Sequence, residues 1–193
     1  MNYNVENKEI TSSRKLNELD KFVLDFVNLL DKYVVVSGYV SILFGRSRAT
    51  EDVDLLIPEL NINEFSQLWV KVHSSNFECI NTSKIEEAYS MLKEHAIRFA
   101  RVGKAIPNIE FKIIKNDLDK YSFDNKIKVI LREGELYISP LEMQIAYKLF
   151  LGSEKDLEDA KHIYKLFKEK LNNKELLKII FQLRVEKRFE EIQ

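Results

Sequence analysis

Two aspartates, Asp52 and Asp54, stand inside a run from Asp52 to Ile57 that otherwise reads as a strand and is closed by Pro58. Residues two apart in an extended chain point to the same face of a sheet, so both carboxylates front one side. Two such carboxylates cannot be buried unpaired at a tolerable cost. They can chelate a hard divalent cation, Mg²⁺ or Mn²⁺, with water and a substrate phosphate completing its shell.

The residues just upstream suit an anion. Tyr33 to Ser37 is a β-branched run that stops at Gly38, and Tyr39 to Phe44 reads as a short helix closed by Gly45. The start of a helix exposes free N–H groups that favour negative charge. Arg48 and Thr50 lie on the approach to the aspartate strand, where charge-assisted and hydroxyl hydrogen bonds could hold phosphate oxygens. A third carboxylate comes from Glu110. In the alternating run Ile109 to Ile113 it turns away from Ile109 and Phe111. Three carboxylates can hold two cations about 4 Å apart, as in two-metal phosphoryl transfer. Lys112 shares the face of Glu110, placed to pair with it or to reach a phosphate.

The rest of the chain alternates between periods of two and of three to four. Helices are expected from Leu16 to Leu30, Asn63 to His73 and Ile85 to Lys93. Strands are expected at Phe77 to Ile80 and Ala96 to Val102, with a hairpin from Lys128 to Ile138 interrupted at Glu133-Gly134. From Ser139 the pattern turns helical. Ser139-Pro140-Leu141-Glu142 reads as a capping box with proline at the first helical position. Ser153 and Asn173 are candidate caps for helices over 154–170 and 174–190. The expected organisation is an α/β core over residues 1–138 and a helical region over 139–193 that packs on it. Phe65 and Trp69 share the core face of their helix, and Cys79 reads as a small buried hydrophobe. His73, His95 and His162 show no ligand spacing.

Charge bounds the partners. Thirty basic against 31 acidic residues leave a net charge of −1 in 193 residues. Bulk charge therefore gives no capture of a long nucleic acid, and any anion site must be local. A single cysteine excludes an internal disulfide framework and a cysteine-based zinc cage. No run approaches the roughly 20 apolar residues of a spanning helix, and the first 14 residues are polar. The expectation is a cytoplasmic protein without membrane partners.

Ser37-Gly38, a short helix and then Arg48-x-Thr50-x-Asp52-x-Asp54 resemble the signature of the nucleotidyltransferase superfamily, which shares the fold of DNA polymerase beta. The form of that strand is most similar to the minimal AbiEii-type nucleotidyltransferases, the toxins of type IV toxin–antitoxin systems. Lys148-Leu149 and Lys155-Asp156-Leu157-Glu158-Asp159 resemble that family's helical stretch. The resemblance implies an α/β (α+β) fold, a mixed sheet with helices mainly on one face plus a C-terminal helical bundle. It implies metal ligands at Asp52 and Asp54, with Glu110 completing the set, and a phosphate-contacting turn at Ser37 and Gly38. Lys148, Asp156 and Asp159 would line the nucleotide cleft, and Arg48, Thr50 and Lys148 would steady phosphates. The implied activity is Mg²⁺-dependent transfer of a nucleoside monophosphate from an NTP to a hydroxyl of RNA such as tRNA, of protein or of a small molecule, with an antitoxin as partner. One position departs from the pattern: Tyr39 stands where the family carries a small residue. A tyrosine there either swings out or narrows the site, and it supports the alternative of a catalytically inactive nucleotide- or partner-binding module.

Overall fold

The computed structural model describes residues 1–193. Its strands are β1 (Asn2–Asn4), β2 (Glu9–Thr11), β3 (Val34–Val36), β4 (Asp52–Ile57), β5 (Phe77–Cys79), β6 (Ile97–Arg101), β7 (Asn108–Ile113), β8 (Ile127–Leu131) and β9 (Gly134–Ile138). Its helices are α1 (Glu18–Val27), α2 (Gly38–Leu43), α3 (Ile62–Ser74), α4 (Ile85–Glu94), α5 (Asp117–Asp124), α6 (Leu141–Leu151), α7 (Glu154–Phe167), α8 (Asn173–Leu183) and α9 (Glu186–Glu190). All strands join one mixed sheet in the order β1-β2-β8-β9-β3-β4-β7-β6-β5.

Local chemistry sets the ends of the helices. Asn17 caps α1 by accepting from the Asp20 N–H while Asp20 reaches back to the Asn17 N–H. Asn61 and Glu64 build the same reciprocal box on α3. The cap at Asn17 explains why α1 begins later than its apolar spacing alone suggests.

Alternation along the central strands separates the core from the polar face. β4 and β7 run parallel, with Leu55 opposite Phe111 and Asp54 opposite Glu110. Val53, Leu55, Ile109, Phe111 and Phe99 are wholly buried on one face. Helix α1 packs there through Phe26, whose ring lies 5.5 Å from Phe99 and 6.1 Å from Phe111. Helix α3 sets Trp69 against Phe99, and α4 sets Tyr89 against Phe65. Truncating a fully buried phenylalanine such as Phe26 to alanine costs about 3–5 kcal/mol. With this face covered by α1, α3 and α4, the opposite face carries Asp54, Glu110, Arg98 and Lys112.

The chain changes from strand to helix after Ile138, and the core continues across that point. One cluster of 47 buried residues includes Ile138 and, from the helices beyond it, Leu141, Leu149, Ile163 and Ile180. Helix α6 packs against α7 and α8, and α7 reaches back to α2.

Three local expectations are corrected. Ser139 does not cap α6: Pro140 holds the cap position in an extended conformation, and no side-chain cap forms. Ser139 instead continues the strand, its N–H donating to the Val35 carbonyl. Glu142 accepts from the Asn172 N–H at 2.7 Å, which ties α6 to the start of α8. The helix expected over 174–190 starts one residue earlier, with Asn172 as its cap, and breaks at Arg184 in the left-handed region at φ 57°. β1, β2 and α5 complete the fold without having shown a periodic signal.

Candidate active site

The turn after β3 shows how this sequence builds a tight corner. Ser37, not the glycine, carries the unusual backbone, at φ 63° and ψ −138°. Gly38 serves a different need. A Cβ at Gly38 would meet a guanidinium nitrogen of Arg48 at 2.9 Å, so glycine lets Arg48 lie against the start of α2. Tyr39 turns away from this corner and is fully buried. Its hydroxyl donates to Asp20 Oδ1 at 2.8 Å, and the same carboxylate takes Arg14 at 2.5 Å. Burial and the adjacent Asp20 hold the Tyr39 pKa well above the ordinary phenol value, so it remains a neutral donor. Of the two outcomes the sequence left open for Tyr39, the side chain swings out.

The carboxylates meet across the parallel pair of β4 and β7. Asp54 stands in register with Glu110, and Lys112, two residues on, reaches back to both. Its ammonium lies 2.6 Å from Asp54 Oδ1 and 2.9 Å from Glu110 Oε2. Arg98, opposite Glu110 on β6, holds the other oxygen of that carboxylate at 3.1 Å. Burial pushes the Asp54 pKa above the ordinary carboxylate value, and Lys112 offsets only part of this. Burial acts the same way on Glu110, but the bond from the Lys112 ammonium and the charges of Lys112 and Arg98 oppose it and leave Glu110 low. Burial disfavours the Lys112 ammonium, yet the two carboxylates hold its pKa above the usual lysine value. Asp52 lies at the start of β4, half-buried, where the Thr50 hydroxyl donates to its carbonyl at 2.9 Å.

The donor set fits a hard cation in kind. Asp54 and Glu110 already hold a positive charge between their oxygens, and carboxylate oxygens are what Mg²⁺ and Mn²⁺ take. Asp52 does not converge with them: no three acidic, histidine or cysteine side chains in the chain form a ready cation cage.

In front of this pair opens a cavity of ≈ 550 Å³. Ser37, Asp54, Glu110 and Lys112 border it, α5 contributes Leu118, and α6 contributes Met143, Gln144 and Tyr147. Ser139 also lines it. This residue is 1% exposed and its hydroxyl has no hydrogen-bond partner. Gln144, equally buried, donates to the Ser37 carbonyl at 3.4 Å. Sequence reasoning missed Ser139, Gln144 and Lys115 as lining residues. Local periodicity assigned Ser139 to a cap and gave no signal for the other two.

The remaining candidates lie apart from the cavity lining, in a buried ionic cluster that docks α7 onto the turn. Asp159, wholly buried, accepts from Arg46 Nε at 2.6 Å and from Arg48 at 2.5 Å, and Lys148 stands 3.1 Å away. Lys148 also bonds Asp156 at 2.7 Å, and Ser153 donates to the other Asp156 oxygen. Arg46 is a member that sequence reasoning did not single out. Its partner lies 113 residues away, beyond any local pattern.

No family model matches this chain, and no curated protein matches it. Solved structures do match. One is an antigenic nucleotidyltransferase-like protein from Paracoccidioides brasiliensis, 20% identical, with a TM-score of 0.52 over 88% of this chain and 88% of the other. Another is the antibiotic-resistance factor ANT(2'')-Ia, 9% identical, with a TM-score of 0.55 over 89% of this chain and 94% of the other. The mixed α/β architecture is thus similar to nucleotidyltransferase folds over most of the chain.

Proposed function

We propose that this chain is a nucleotidyltransferase that moves a nucleoside monophosphate from an NTP to an acceptor hydroxyl, with Mg²⁺ or Mn²⁺ as cofactor. The observation that carries this reading is the register of Asp54 beside Glu110 at the border of the cavity, next to the Ser37 turn. Asp54 and Glu110 would hold the cation, and Asp52 at the start of β4 would join them only by turning its carboxylate toward the pair. When bound, the cation supplies charge neutralisation of the triphosphate and activation of the attacking oxygen. Glu110, at the border of the cavity, would also orient the acceptor hydroxyl. Lys112 and Lys115 border that space as cations for phosphate oxygens. Ser37 and Gly38 form the corner that phosphates approach. Arg48, Lys148, Asp156 and Asp159 shape that corner from beneath by fixing α7 to it, and Thr50 steadies Asp52. The unpartnered Ser139 hydroxyl offers a hydrogen bond to the bound molecule.

The strand signature around Asp52 and Asp54 favours the AbiEii-type branch, a toxin role with an antitoxin partner, and action in the cytoplasm. The segments 1–138 and 139–193 then act as a catalytic core and a helical cover. Incubation with each labelled NTP, Mg²⁺ and total RNA or total protein tests the activity. Label should transfer with the wild type and not with Asp54→Asn. Transfer that survives Asp52→Asn combined with Asp54→Asn sinks the mechanism. Absence of any metal-dependent thermal stabilisation by NTP favours the non-catalytic binding module.

A further inference from the structure

We infer that Lys112 is an internal competitor for the cation site: its ammonium fills the place between Asp54 and Glu110, and a divalent cation binds there only as Lys112 leaves. This rests on the proposed metal-dependent activity and adds a step to it.

The geometry leaves no room for both cations. The ammonium nitrogen lies 2.6 Å from one carboxylate and 2.9 Å from the other. A divalent ion needs those oxygens at about 2.0–2.6 Å, so it would stand where the nitrogen stands. Two positive charges at contact distance in a half-buried setting repel strongly. Charge leads to the same result. Asp54 and Glu110 carry two negative charges and face Lys112 and Arg98, which carry two positive ones. The site offers a cation little net attraction until one of these leaves.

Lys112 is the one whose departure clears the site, because it bridges both carboxylates and borders the cavity, whereas Arg98 pairs with Glu110 alone. Lys112 sits on a flexible four-carbon stem, and its side chain is 36% exposed. A lysine displaced from the carboxylates has phosphate-binding space within reach. Cation and anionic substrate therefore favour the same arrangement of Lys112, and binding of one promotes binding of the other. The register explains why the competitor comes from this position. Residue 112 follows Glu110 on the same face of β7 and stands opposite Leu56, which has no charge to hold it.

Titration calorimetry with Mn²⁺ alone reads the competition without relying on turnover. Lys112→Met should bind Mn²⁺ at least about tenfold more tightly than the wild type. Lys112→Arg, which keeps a cation on the carboxylates, should stay as weak as the wild type. Lys112→Gln guards against a folding defect, since its amide still bonds the carboxylates, and it should also gain affinity. Mn²⁺ should raise the melting temperature of both neutral variants more than that of the wild type. Equal Mn²⁺ affinity in the wild type and both neutral variants overturns the competition and leaves the functional reading standing. Failure of every variant to bind Mn²⁺, with or without a non-hydrolysable NTP analogue, overturns both.

Discussion

Tyr39 and Asp20 are joined by a 2.8 Å hydrogen bond in the interior, so the tyrosine hydroxyl is committed to the core and not to the candidate site. The ring turns from the corner after β3 into the core, so a bulky residue occupies a small residue's position without filling the space beside Ser37. Tyr39→Phe keeps the ring and removes the hydroxyl. A hydrogen bond to a charged group contributes about 1.5–3 kcal/mol, so urea unfolding should show a loss of that order. Affinity for NTP should not change. Weakened NTP binding at unchanged stability would put the hydroxyl in the site instead of the core.

Asp159 is the keystone of the cluster beneath the turn. It is wholly buried and receives Arg46, Arg48 and Lys148. Removing one partner of a buried ionic group leaves uncompensated charge, at about 3–5 kcal/mol. Asp159→Ala should lose stability on that scale, and adding Arg48→Met should recover part of it. A strictly additive double mutant would contradict the pairing.

How much of this was legible beforehand follows from the range of the interactions. The faces of β4 and β7 were readable because alternation is local, so Asp54 and Glu110 could be placed on the same side before their register was known. The ionic cluster was not readable, since Arg46 and Asp159 meet only after α7 folds back across the molecule. Lys112 was visible as a neighbour of Glu110 on one face, but its reach to Asp54 depends on a parallel pairing 58 residues apart. β1 and β2 have three residues each and bury little beyond Ile10, too short a run for periodicity to mark. Ser139 misled because its sequence satisfies a capping pattern while its backbone remains committed to Val35.

Ser37 stores strain that glycine would relieve. A residue with a side chain at φ 63° and ψ −138° lies outside the well-populated backbone regions, at a cost of order 1–3 kcal/mol. Ser37→Gly removes that cost and loses roughly 0.5–1 kcal/mol to the freer unfolded chain. The expected result is a stability equal to the wild type or higher by up to about 2.5 kcal/mol. Ser37→Val, with a branched Cβ, should destabilise by at least about 2 kcal/mol. Equal losses in both variants would show that the hydroxyl, not the backbone, matters here.

Acid should loosen the contact between α6 and α7 through Asp156. Burial raises the pKa of this carboxyl, but its bonds from Lys148 and Ser153 outweigh that and hold it below the ordinary value. The folded state therefore binds this proton more weakly than the unfolded chain does. A depressed carboxylate contributes its stability above the unfolded value of about 3.9 and loses it as pH falls through the folded value. Wild-type stability, followed by urea unfolding from about pH 5 down to about pH 3, should decline in part through this group. Asp156→Asn should be less stable at neutral pH, because Lys148 loses one of its two charged partners, and its decline over that acid range should be shallower. A variant whose acid slope matches the wild type would mean that Asp156 binds its proton equally well in both states, and the Lys148–Asp156 bond would then carry no pH dependence.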